Sequence, residues 1–302
     1  MLQHIISKYS IDGLLYFGSG SGVFLDADRV KFLVAFTQRK ETGALFNNFY
    51  SCDFAAVAQS KSLLSLDLPD IDNSFGFALS DAGISCNCLS RELSTQYDID
   101  TPTDVLLLAA TGLGGEKLSL FTQTINHYQQ DIPQVLNLIR SRDAQLVIIG
   151  RVNPITWGHF ESETACRTNV LSEGRGMRAY PSTRTMLTKK LLAEGAASSF
   201  FKDLSSACDG AIIDTRPLLA REGGLPPASD RFASDLRDYM VIQDPLWREF
   251  TLAASKATIP VILGGHSLVS GGLYLLPEAS WKDHHFPRRL HPDTIDWQKE
   301  QT

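Results

Sequence analysis

Hydrophobic and polar positions fall into two rhythms along this chain: short apolar runs of strand type, and longer stretches with helical spacing. Leu2–Tyr9 reads as a short helix and Gly13–Phe17 as an apolar strand. Val30–Phe36 and Asp53–Ala58 are rich in β-branched and aromatic residues and read as further strands. Pro102–Thr111 has a helix-start signature. Thr101 stands at the N-cap, Pro102 at the first helical position, and Asp104 at the third, where it completes a capping box and meets the positive end of the helix dipole. The run ends at Gly112-Leu113-Gly114-Gly115, the expected boundary between two parts, 1–115 and 116–302.

Beyond that point the alternation becomes clearer. Leu118–Arg140 reads as largely helical, interrupted near Pro133, and leads into the strand Gln145–Gly150. Thr183–Ser206 and Ser229–Ala257 are helical stretches that precede the strands Gly210–Asp214 and Ile259–Gly265. Three apolar strands joined by long helical connections are what a parallel sheet with helical crossovers requires. The expected fold class is therefore α/β, with mixed or parallel sheets and a Rossmann-like second part. From about Pro277 the chain turns polar, with His and Pro, and is expected to form a surface appendage.

Composition narrows the function classes. With 302 residues, the chain exceeds the usual size of a single core. A net charge of −6 leaves no basic surplus to neutralise phosphates, which argues against a nucleic-acid binder. No apolar run approaches the roughly 18–20 residues that span a bilayer, so no membrane partner is expected. Five scattered cysteines suggest reduced thiols and a cytoplasmic location. Cys86-x-Cys88 could ligate a soft metal, but no second Cys/His pair lies nearby to complete four ligands. Homo-oligomerisation is left open.

Four places carry candidate chemistry. Asp98 and Asp100 flank Ile99, so an extended backbone points both carboxylates to one side, where they could hold a divalent metal. The plain alternative is a solvated acidic turn. Gly18, Gly20 and Gly22 follow a strand and could let backbone N–H groups approach a phosphate, or serve only as a turn. The run Gly264-Gly265-His266-Ser267-Leu268 resembles the nucleophile elbow of α/β-hydrolases, although Val269 stands where a small residue is needed. A hydrolase using Ser267 would draw its acid and base from Asp283, His284, His285, His291 or Asp293. Finally, Arg151, Asn153, Asp214, Thr215, Arg216, His266 and Ser267 all follow expected strands, whose carboxyl ends gather along one edge of a parallel sheet. With Arg175 and Arg178 in a glycine-loosened segment between them, they suggest a site for an anionic small molecule.

Asp98-Ile99-Asp100-Thr101-Pro102-Thr103-Asp104 resembles the Asp-(Ile/Val)-Asp-Thr-Pro-Glu-Asp-Leu element of the nucleotidyltransferases, the molybdenum-cofactor guanylyltransferase-like group in particular. The likeness extends weakly upstream through Asn47–Asp53 and covers roughly the first 110 residues. It implies a nucleotidyltransferase-like first part that moves an NMP group from an NTP to an anionic acceptor. It also implies Mg²⁺ held at Asp100; the residues themselves put Asp98 beside it and offer Gly18, Gly20, Gly22 and Asn47 for a nucleotide. Arg175, Arg216, Gly265 and His266, beyond the reach of the likeness, complete the ligand contacts expected from the strand ends. The chain departs from the family at the glycine loop, which lacks the Arg that follows it there, and in having Thr103 for Glu. The rival reading is a non-catalytic nucleotide-binding or assembly protein.

Overall fold

The computed structural model describes residues 1–70, 74–125, 131–177, 195–220 and 224–284. It is α/β, with one mixed and one fully parallel four-stranded sheet. The first sheet contains β1 (Gly13–Phe17), β2 (Gly43–Phe46), β3 (Phe54–Ala58) and β4 (Ser85–Cys88), in the order β1-β3-β2-β4. β3 runs antiparallel to both neighbours, while β4 pairs parallel with β2. All five residues of β3 are buried, and the period of two splits them between two cores. Ala55 and Val57 join Ile6, Leu14, Phe46 and Leu79 on one face. Phe54, Ala56 and Ala58 join Leu33, Phe36 and Leu45 on the other.

One expected strand is a helix. Val30–Phe36 lies inside the helix Ala27–Thr37, which Asp26 caps by accepting the Arg29 N–H at 2.8 Å. Only Leu33 and Phe36 of this helix are buried, while Val30, Phe32 and Val34 face solvent. Apolar residues on the outer face blur the helical period and leave β-branched content as the stronger local signal.

The second sheet contains β5 (Gln145–Gly150), β6 (Arg167–Ser172), β7 (Gly210–Asp214) and β8 (Val261–Gly264), all parallel, in the order β6-β5-β7-β8. β6 is the strand of this sheet that sequence reading missed, as it missed the short β2 and β4 of the first. It is an outer strand with no buried residue, so it carries no apolar run. Leu146, Ile148, Ile212 and Ile262 enter the core on one face, and Ile149, Ala211, Ile213 and Leu263 the core on the other. The expected helical stretches resolve into Glu116–Thr122, Ile132–Ile139, Ala196–Ala207, Ala228–Asp235 and Pro245–Ser255. Pro133 sits in a first turn, where its missing N–H costs nothing. Residues 183–194 of one expected helical stretch lie outside the described residues.

Helix Pro102–Thr111 belongs with the second sheet. Its Leu106, Leu107 and Leu108 share one core with Ile148, Ile212, Ile262 and Leu273. Gly112–Gly115 therefore lies beside that core rather than between two. Pro277 is also inside structure, buried in the helix Gly272–Trp281, so the expected surface tail does not begin there. Its remainder, with His285, His291 and Asp293, lies outside the described residues. Among the described residues no single helix is long and apolar enough to cross a membrane.

Candidate functional site at the strand ends

Parallel pairing brings the carboxyl ends of β5, β7 and β8 side by side, and glycines let them close up. Gly150, at φ 129°, lies so near Asp214 that an added Cβ would sit 2.4 Å from the Asp214 Cβ. Gly174, in the loop after β6, has the same relation to the Pro217 Cβ, also 2.4 Å. A Cβ on Gly265 would meet Thr101 Cγ2 at 2.7 Å, and one on Gly271 would meet the Gln96 carbonyl at 2.4 Å. The acidic segment 96–104 is thus pressed against the end of β8. The lack of a side chain at Gly265 permits this packing.

Two of the expected anion-binding arginines are committed to carboxylates. Arg151 holds buried Asp214 with Nε at 2.6 Å and Nη2 at 3.1 Å. Burial alone would raise the Asp214 proton affinity, but the Arg151 charge and hydrogen bonds leave it below the ordinary carboxylate range. Arg216 is buried and grips Asp235 at 2.5 and 2.7 Å, with a further donation to the Gly264 carbonyl at 2.8 Å. It is therefore a structural brace across β7 and β8 rather than a ligand contact. A buried guanidinium needs its partners on all sides, and here the protein supplies them.

Asp104 has a second role that capping logic did not show. Its Oδ2 accepts from Asp100 N–H, Thr101 N–H and Thr101 Oγ1, at 3.0, 2.7 and 2.9 Å. It also accepts from Ser267 Oγ at 2.5 Å, across 163 positions of chain. Thr103 adds a parallel link, donating to the Leu263 carbonyl at 2.6 Å. Asp104 is fully buried, its Oδ1 has no hydrogen-bond partner, and burial pushes its carboxyl up to about 7 against the pull of those donors. Ser267 is buried with its hydroxyl engaged by Asp104, so it is a tie between segments and not an exposed nucleophile. No local signal announces a pair so far apart in sequence.

The glycine loop is placed against the acidic segment. Ile99 N–H donates to the Gly20 carbonyl at 3.0 Å, and Ser21 forms an antiparallel bridge with Asp98. A Cβ on Gly20 would sit 2.8 Å from Asp98 Oδ1. Gly18 donates its N–H to the Asp53 carbonyl at 2.7 Å, and Ser21 donates its N–H to Gly18 at 3.2 Å. The loop is folded back on the protein, with Gly22 in a positive-φ turn against Phe17 and Leu25. Asn47 is buried, with its amide donating to Asp53 Oδ2 and the Thr95 carbonyl and its Oδ1 accepting from Asp53 and Phe54 N–H. It clasps the β2–β3 turn and has no group left for a ligand.

Asp98 is the most perturbed carboxyl of the segment. Burial first, then the Asp100 and Asp53 charges, push it up to about 8. Its Oδ1 is buried without a hydrogen-bond partner, while Asp100 is exposed. Among the described residues no group of three or more His, Cys, Asp or Glu is placed to hold a metal ion. Mg²⁺ held by one or two carboxylates plus a ligand's phosphates needs no such group.

His266 and Arg175 complete the edge. His266 keeps an open side to solvent but is crowded elsewhere, and that crowding, ahead of the Arg151 charge, lowers its proton affinity. Asp214 and Asp100 pull it the other way, and Arg175 acts with Arg151. The imidazole is thus neutral near pH 7, offering one donor and one acceptor. Arg175 is exposed on the loop that Gly174 packs onto Pro217, with no carboxylate partner among the described residues. A groove of about 520 Å³ lies beside this edge, along the outer side of β8, but Asp131 and Arg237 pair across its wall and bind the Val261 backbone. They seal an outer strand. No family model, curated protein or solved structure matches this chain.

Proposed function

We propose that the chain binds a phosphorylated, nucleotide-type small molecule where Asp98–Asp104 meets the carboxyl ends of the parallel sheet. The observation that carries this reading is the exposed Arg175, near enough for its charge to act on neutral His266, which the Arg151, Asp214 and Asp100 charges also reach. An arginine with no carboxylate partner among the described residues suits a phosphate, a neutral imidazole can donate to a phosphate or ribose oxygen, and the edge is the usual binding side of such sheets. Helix Pro154–Ser162 also begins just beyond β5, which adds the positive end of its dipole near the same edge. Calorimetric titration with GTP, CTP and ATP, with and without Mg²⁺, tests the reading. Binding of one of them, weakened about tenfold or more by Arg175→Ala, is the expected result. No binding of any nucleotide, or binding indifferent to Arg175, counts against it.

A catalytic version has its own support, the unpartnered Asp98 Oδ1 next to exposed Asp100. In it the first part is nucleotidyltransferase-like, the second Rossmann-like, and Asp98 and Asp100 hold Mg²⁺ together with the ligand's phosphates. The ion would neutralise triphosphate charge while an anionic acceptor displaces pyrophosphate. Loss of turnover but not of metal-free binding in Asp100→Ala separates this from a binding or assembly protein that never turns over. The Ser267 hydrolase is not carried forward, because its hydroxyl is buried and donated to Asp104.

A further inference from the structure

β4 lies at the outer edge of the first sheet, and its Cys86 and Cys88 stand two residues apart on one face. Cys86 is half-buried beside the helix Phe75–Asp81, where its thiol reaches the Ile84 carbonyl at 3.3 Å, and Cys88 is exposed. The thiols are near enough for charge on Cys88 to act on Cys86. All five cysteines are free.

Geometry limits what such a pair can do. Neighbours on one face of a strand have Cα atoms about 6.6–6.8 Å apart, at or beyond the upper end of disulfide spacing, and their Cβ vectors run parallel rather than converging. A direct S–S bond of about 2.05 Å is therefore out of reach without breaking the strand. Two metal–sulfur bonds of about 2.3 Å each span about 4.6 Å when collinear, which two parallel cysteine side chains can bracket. No third His, Cys, Asp or Glu joins them among the described residues, so a four-coordinate ion such as Zn²⁺ is poorly served. A soft ion satisfied by two thiolates is not.

We propose that Cys86 and Cys88 form a two-sulfur site for a soft monovalent d¹⁰ ion, Cu(I), on the open edge of the first sheet. Both thiols lose their protons to solvent as the two copper–sulfur bonds form, with no change of oxidation state. Burial and the neighbouring Cys88 raise the Cys86 thiol in the free protein, and a cation between the sulfurs opposes both effects. The remaining cysteines are less accessible: Cys52, Cys166 and Cys208 are buried, Cys52 in the core that Cys86 packs against, and burial pushes the Cys166 thiol up to about 11.

The test is an anaerobic titration of the full chain against a coloured Cu(I) chelator. The wild type is expected to withdraw a single equivalent of copper. Cys88→Ala, at an exposed position where folding is not at stake, and Cys86→Ala should each lose that equivalent, while Cys166→Ala keeps it. Withdrawal of no copper by the wild type, or undiminished withdrawal by Cys88→Ala, overturns the proposal.

Discussion

At the scale of single residues, Asp104 shows how one side chain can satisfy a local rule and a distant one together. It closes the capping box of helix Pro102–Thr111 and also receives the Ser267 hydroxyl at the end of β8. The local half was legible in Thr101-Pro102-Thr103-Asp104, and the distant half was not, since nothing near Asp104 specifies Ser267. Its burial has a pH consequence with a definite sign. The folded carboxyl is raised to about 7 from a reference of 3.8, so between those values the native state holds a proton that the unfolded chain has released. This contribution is fully present below the unfolded value and declines as pH rises through the window, by on the order of 4 kcal/mol in all. Asp98 acts in the same direction, and His266 and His159, whose proton affinities are lowered, act in the opposite one. Only a difference measurement isolates Asp104. In urea unfolding, the stability of Asp104→Asn relative to wild type should rise by about 2 kcal/mol from about pH 5 to about pH 7, then level off. A gap that stays constant across that range would mean that Asp104 titrates normally.

At the scale of elements, β5, β7, β8 and helix Pro102–Thr111 were legible because each carries its own signal, an apolar run or a capping sequence. β6 and the helix Ala27–Thr37 were not, because exposure removes the apolar run from one and places apolar residues on the outside of the other. The gathering of Arg151, Asp214, Arg216 and His266 at one edge followed from parallel topology. That Arg151 and Arg216 spend their charge on Asp214 and Asp235 did not, since the sequence shows charges without their partners. The glycines that join the strand ends give an element-level prediction. Gly150→Ala forces a Cβ to 2.4 Å from that of Asp214 at φ 129°, and should destabilise by about 1–3 kcal/mol or more. Gly158→Ala is the control, in the exposed middle of helix Pro154–Ser162 with nothing within 4 Å of the new methyl. It should instead stabilise by about 0.5–1 kcal/mol. Equal shifts in the thermal midpoints of the two variants would contradict this account of the strand ends.

At the scale of the molecule, the two sheets are joined by the segment from Leu93 to Thr111 rather than divided at Gly112–Gly115. Tyr97, Leu106, Leu107 and Leu108 complete the core that Leu146, Ile148, Ile212 and Ile262 begin, and Val23 and Phe24 from the first part pack against it. Phe24 meets Tyr97 edge-on at 5.3 Å, and the Ser21–Asp98 bridge binds the glycine loop to the same segment. A cut after Gly114 therefore removes three buried leucines from the second sheet, each worth about 2–5 kcal/mol when truncated to Ala. It also strands them, exposed, on the first fragment. Such losses are comparable to the whole stability of a typical domain, about 5–15 kcal/mol. A cut after Arg91 keeps Tyr97 and the leucines with their core and breaks mainly the loop bridge, the Phe24 contact, the Asn47–Thr95 hydrogen bond and the exposed Arg29–Glu92 pair, the last of which contributes little. The expected outcome is that residues 115–302 alone give no cooperative urea transition, whereas residues 92–302 do. A sharp transition for the shorter piece would restore the boundary at the glycines and with it an independent second domain. Failure of both pieces would instead show that Val23, Phe24 and the glycine loop are as necessary to the second core as the leucines, so that the strand-end site depends on the whole chain.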